Sequence, residues 1–165
     1  MTDERVTLEE ESGKLLREQG LTLAVAESCT GGLLGHCITE VAGSSNYFLG
    51  GIISYSNEAK EKLLGVRHET LLAQGAVSEE TAREMAQGAR RVLGSDLALA
   101  ITGVAGPGGG TAEKPVGFTY VALADARGEI VEQHTWPNGR SGNKAHSAEA
   151  ALRLLKSYLT QRIAS

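Results

Sequence analysis

The chain has 165 residues, 41% of them hydrophobic, with 21 glycines, few aromatics and a formal net charge of −4. Its length suits one domain across 1–165 with a buried core. Scattered lysines and arginines on an acidic chain give no electrostatic footprint for nucleic acid, and no apolar run is long enough to span a membrane.

Two cysteines, Cys29 and Cys37, with a polar and acidic stretch from Met1 to Glu11 in place of a secretory leader, predict reduced thiols in a cytoplasmic protein. In chain order, Val6 to Glu18 sets Leu8, Leu15 and Leu16 among charges and predicts an amphipathic helix ended by Gly20. Leu21 to Ala26 is an apolar run of strand length, and Thr30 to Val41 reads as the helix that follows it. Ala42 to Asn46 is a loop by composition, and Gly50 to Tyr55 a second short strand. Asn57 is placed to cap a helix from Glu58 to Leu64, which Gly65 stops. After a helical turn from Glu69 to Gln74, Ser78 caps a longer helix from Glu79 to Leu93 whose first-turn acids suit its dipole. Leu97 to Thr102 is apolar up to its last residue, as in a central strand. Val116 to Ala124 and Glu129 to Trp136 form a hairpin around Asp125–Gly128, Gly139 to Asn143 reads as a loop, and Lys144 to Gln161 as a final helix. Strands alternating with helices and one late hairpin predict an α/β fold: three layers, α/β/α, around a mixed sheet.

Ligands of open α/β sheets bind at the carboxyl ends of strands. Three segments of unusual polarity or glycine content fall at such ends: Glu27 to Gly32, Ser54 to Lys60, and Thr102 to Gly110. Their coincidence points to one pocket. The first sets two hydroxyls and a thiol (Ser28, Cys29, Thr30) where a strand turns into a helix, at free N–H groups and a positive dipole end. In the second, Lys60 sits in the first turn of a helix, where a cation opposes the dipole, beside Tyr55. A desolvated lysine there has a lowered pKa and can serve as a neutral base. The run from Gly103 to Gly110 lets a backbone approach a ligand closely, without the Lys-Ser/Thr ending of a P-loop. Arg140, with Lys144 four residues on, is placed for a phosphate or carboxylate clamp. His36, His68, His134 and His146 show no metal-ligand spacing, so no metal is expected.

Together, Ala26–Gly32, Ser54–Lys60, Gly75–Ser78, Thr102–Pro107 and Glu113–Gly117 resemble the CinA C-terminal domain family, over about Leu8 to Leu159. The family includes stand-alone nicotinamide-nucleotide amidohydrolases. The resemblance implies hydrolysis of the carboxamide of nicotinamide mononucleotide to nicotinate mononucleotide and ammonia, in pyridine nucleotide recycling and without a cofactor. It matches Ser28 to the nucleophile and Lys60 to its base, with Tyr55 close to both. It also matches Thr102, Gly103, Ala105 and Gly106 to a substrate-lining segment and Arg140 to the neighbourhood of the phosphate. The turn of Cys29, Thr30, Gly31 and Gly32 is a further substrate-binding candidate, its backbone N–H groups placed either for the oxyanion or for the phosphate. Relatives often carry a second arginine where this chain has Lys144, which keeps the charge and loses the bidentate fork.

Two rivals stay open at this level. Cys29 with Glu27 and a lysine would make a cysteine amidase, although strand alternation favours only one of Ser28 and Cys29 facing the pocket. A nucleotide-binding module without catalysis is the other. The default assembly for a small cytosolic enzyme of this kind is a homodimer.

Overall fold

The computed structural model describes residues 5–164. Helix α1 (Leu8–Gln19) opens on a reciprocal capping box. The Thr7 hydroxyl accepts from the Glu10 N–H while the Glu10 carboxylate accepts from the Thr7 N–H. Next come β1 (Leu23–Glu27), α2 (Leu33–Thr39), β2 (Phe48–Ile53), α3 (Asn57–Leu64), α4 (His68–Gln74) and α5 (Glu79–Leu93). The chain ends with β3 (Leu97–Gly103), β4 (Phe118–Asp125), β5 (Gly128–Thr135) and α6 (Arg140–Ala164). The strands form one five-stranded sheet in the order β2-β1-β3-β4-β5. Its first three strands are parallel, while β4 and β5 run antiparallel as the hairpin.

The three central strands are buried on both faces, and their pleat sorts side chains by size. Leu23, Val25, Leu97, Leu99, Ile101, Val121 and Leu123 face one core with α2 and α6. Ala24, Ala26, Ala98, Ala100, Ala122 and Ala124 face the other, against Ala82, Met85, Ala86 and Ala89 of α5. Small residues on the second face let α5 lie close to the sheet. Gly88 does the same between helices, since a Cβ there would collide with the Leu64 carbonyl at the end of α3. These contacts fix α3, and with it Lys60, relative to the strand ends.

Four boundaries differ from the sequence reading in ways that bear on the site. Helix α2 begins at Leu33 rather than Thr30, because the chain first makes a tight turn through Gly31 and Gly32 at φ +59° and +107°. Only glycine takes such angles without strain. Ser56, not Asn57, caps α3, its hydroxyl accepting from the Ala59 N–H at 3.0 Å. Strand β2 starts two residues earlier, at Phe48, and ends at Ile53, so Ser54 and Tyr55 lie beyond it. Helix α6 begins at Arg140, absorbing the segment whose composition reads as a loop.

Candidate active site

Strand β1 lies between β2 and β3 and delivers the chain into the turn from Ser28 to Gly32. The Ser28 N–H donates to the Ile101 carbonyl of β3 at 3.1 Å, and the Ser54 N–H donates to the Glu27 carbonyl at 2.8 Å. The serine is therefore anchored between both neighbouring strands. Within the turn, the Gly31 N–H donates to Ser28 O and the Leu33 N–H to Thr30 O, each at 3.1 Å. Gly32 offers no side-chain cap to α2. That office falls to Glu27, whose buried carboxylate accepts from the Leu34 N–H at 2.9 Å and the Gly35 N–H at 3.0 Å. Glu27 is thus turned into the helix rather than toward Cys29. The N–H groups of Cys29, Thr30 and Gly32 find no backbone acceptor among the described residues.

Lys60 is 1% exposed, and its position follows from α3 packing on α5. Its Nζ lies 2.9 Å from Ser28 Oγ, 2.7 Å from the Ser54 carbonyl and 3.4 Å from the Tyr55 carbonyl. Burial pulls its pKa down to about 8, against a small upward pull from Cys29. A neutral amine has two N–H groups and one lone pair. With the hydrogens given to the two carbonyls, the lone pair is left facing the Ser28 hydroxyl. This is the geometry of a serine held by a base, built from groups 32 residues apart in sequence.

Cys29 stands beside the pair on the same cleft. Strand alternation does not separate it from Ser28, because β1 has ended at Glu27 and both residues belong to the turn. Burial pushes its thiol up to about 11, outweighing its own N–H and the nearby Lys60 and Lys144. It is therefore a protonated, weakly nucleophilic group at neutral pH.

The cleft has a volume of about 260 Å³ and brings together Ser28, Cys29, Tyr55, Lys60, Thr102, Gly103, Ala105, Gly106 and Arg140. Thr30, Gly31 and Gly32 shape the turn behind it and are not among its lining residues. Ala76, Val77 and Gly108 line it as well. The sequence reading places Gly108 in the glycine run of the pocket but gives Ala76 and Val77 no part in the site, because small apolar residues carry no chemical mark of their own. The signals for them were the Gly75–Ser78 motif and Thr102, whose hydroxyl donates to the Ala76 carbonyl at 2.7 Å and draws the α4–α5 turn against the end of β3. Gly106, at φ +90°, passes so close to Val116 that any side chain there would clash. The first turn of α6 secures that loop: Asn143 Nδ2 donates to the Ala105 carbonyl and Arg140 Nη1 to the Gly106 carbonyl, at 2.9 and 2.8 Å.

Arg140 Nη2 also reaches the Tyr55 hydroxyl at 3.3 Å. Tyr55 is 63% exposed at the rim, and it meets Lys60 through its carbonyl rather than its ring. Because α6 starts at Arg140, Lys144 follows one turn later on the same face, its Nζ 3.9 Å from where a Cβ on Gly31 would stand. Arg140 therefore lines the cleft, while Lys144 stands beside the turn behind it. Among the described residues no three His, Cys, Asp or Glu are grouped to hold a metal ion, and no helix is long and apolar enough to cross a membrane.

Residues 5–159 match the family model described as the CinA C-terminal domain. A CinA-like protein of Geobacter sulfurreducens is 53% identical over 153 residues, which are 93% of this chain and 37% of that protein. The chain thus spans little more than a third of the length of the curated relatives it matches. Among solved structures, the competence/damage inducible protein CihA from Agrobacterium tumefaciens superposes with a TM-score of 0.86 at 40% identity, covering 93% of this chain and 95% of that one. A competence-damaged protein (CinA) superfamily protein from Klebsiella pneumoniae gives a TM-score of 0.90 at 32% identity, covering 93% and 96%.

Proposed function

Because the chain belongs to the CinA C-terminal domain family, and because its strand ends hold a serine against a buried amine, we propose that it is an amidohydrolase acting on the carboxamide of nicotinamide mononucleotide. The observation that carries this reading is the 2.9 Å contact between Lys60 Nζ and Ser28 Oγ, with the amine's remaining hydrogens directed at carbonyls. Neutral Lys60 takes the hydroxyl proton as Ser28 Oγ attacks the amide carbon. The tetrahedral adduct collapses when Lys60 returns that proton to the departing nitrogen, and ammonia leaves. Water then attacks the Ser28 ester with Lys60 again as base, and nicotinate mononucleotide is released. The turn amides beside Ser28 that make no backbone hydrogen bond are the donors available to the oxyanion.

The rest of the cleft supports the same substrate. Tyr55, exposed at the rim, presents a ring face suited to a cationic pyridinium. Arg140 offers charge to a phosphate in the cleft by exchanging its Tyr55 and Gly106 partners for phosphate oxygens, with Lys144 as a further cation beside the turn. Cys29 lines the wall, and in this reading it is not the nucleophile, since the amine contacts the Ser28 hydroxyl and burial raises the thiol pKa. The reaction requires no cofactor. The reading places the protein in pyridine nucleotide recycling, in the cytoplasm, as a homodimer.

The test is ammonia release from nicotinamide mononucleotide by wild type, Ser28→Ala, Lys60→Ala and Cys29→Ala. Turnover should disappear in the first two variants and persist in the third. Activity that survives Ser28→Ala and vanishes in Cys29→Ala would transfer the nucleophile to the thiol. Nucleotide binding by a wild type that releases no ammonia would make the domain a binding module.

A further inference from the structure

Glu27 is the residue immediately before the nucleophile, and nothing in the mechanism above uses it. It is 2% exposed, an expensive place for a carboxylate unless every oxygen is occupied. Both are: Oε1 takes the Leu34 N–H and Oε2 the Gly35 N–H. These are two of the donors that a helix leaves unsatisfied at its start, and Gly32 supplies no side chain to cap them. Its main chain is held equally firmly. Glu27 pairs with Ile53 on one side and Ile101 on the other, and its carbonyl accepts from the Ser54 N–H. One residue therefore ties the last step of β1 to both neighbouring strands and to the first turn of α2, with Ser28 to Gly32 as the only chain between the two anchors.

We propose that Glu27 is a positioning residue that sets the Ser28 hydroxyl against Lys60 by bracing the turn from behind. The proposal rests on the serine–lysine reading above. A five-residue turn containing two left-handed glycines has many conformations of its own. Pinning α2 back onto the strand end selects the one in which Oγ sits 2.9 Å from the amine. The same contact spends the positive end of α2 internally, so anionic groups of a substrate meet Arg140 and Lys144 rather than the helix start.

Glu27→Gln is the informative change. The amide keeps the size, offers one acceptor oxygen, and turns its NH2 toward an N–H donor. Two readouts are taken on the full chain: kcat and KM for nicotinamide mononucleotide, and the rate at which a fluorophosphonate phosphonylates Ser28. In the latter, the Oγ–P bond forms, the P–F bond breaks, fluoride leaves and the proton passes to Lys60. Both kcat and the phosphonylation rate should fall together, by roughly tenfold or more, with KM unchanged. Glu27→Asp, which keeps the charge and shortens the reach, should fall likewise. Wild-type phosphonylation rates in either variant, or a change confined to KM, would overturn the proposal. In the wild type, the Leu34 and Gly35 amides should exchange hydrogen as slowly as those of β1. Rapid exchange there overturns it even if both variants fail to fold. A wild type that releases no ammonia while Glu27→Gln still slows phosphonylation defeats the substrate reading and leaves the role of Glu27 standing.

Discussion

Lys60 is the residue on which chemistry and stability meet. A depression from 10.5 to about 8 is a preference of about 3 kcal/mol for the neutral amine in the folded chain. If Lys60 is the proposed base it works neutral, so kcat/KM should rise with pH through about 8 and then level off. A profile flat across that value would remove Lys60 from the role. Stability carries the same signature. Above about pH 8 the folded chain has released a proton that the unfolded chain keeps until about 10.5, so stability climbs over that interval. Cys29 acts in the opposite sense, because its buried thiol stays protonated to about 11 while the unfolded thiol ionises near 9.0. From 8 to 9, Lys60 acts alone of the two. Urea titrations of wild type and Lys60→Met should therefore diverge over that unit, the wild type gaining about 1 kcal/mol on the variant. Local sequence foretold a troubled lysine, since a cation in the first turn of a helix opposes the dipole. Its pairing with Ser28 was out of reach of local pattern, because it depends on where α3 docks.

At the scale of elements, that docking is a matter of close approach. Gly88 lets α5 touch the carbonyl end of α3, and the alanine face of the sheet lets α5 sit low. Gly88→Ala should cost about 1–3 kcal/mol and lower kcat as well, because α3 carries Lys60, the proposed base. Denaturation midpoints and turnover measured on one preparation test this, and stability lost with kcat intact would refute the coupling. Elements governed by neighbouring residues were readable from sequence. Ser78 caps α5, and that helix runs from Glu79 to Leu93 as the pattern predicts. Elements governed by distant partners were not. The stretch Gly139-Arg140-Ser141-Gly142-Asn143 is a poor helix former, yet it is helical from Arg140. Asn143 is buried there, bonding the Ala105 carbonyl and the Asn138 N–H. Helix α2 started late for a related reason: its cap comes from the preceding strand, where no capping rule looks.

Across the whole molecule, the parallel half of the sheet gathers three strand ends at one edge, and this is why the outline of the cleft could be read from composition alone. Every parallel strand run ended in a polar or glycine-rich segment, and the topology makes such ends neighbours. The α4–α5 turn was marked only by the Gly75–Ser78 motif and was given no role, because Ala76 and Val77 enter as wall, not as chemistry. Net charge is a whole-molecule property too. At −4 with dispersed cations, the chain should show no retention of a labelled DNA duplex at physiological salt, by electrophoretic shift; retention that weakens steeply as salt rises would contradict this. Lys60 reaches Ser28 only from α3, which rests on α5, so the proposed base and nucleophile share neither a strand nor a helix. A chain still emerging from the ribosome, or one that has begun to loosen, holds an ordinary serine and an ordinary charged lysine. On the proposed reading, reactivity exists only while that tertiary contact is made, so turnover should report on the docking of α3 as well as on the chemistry.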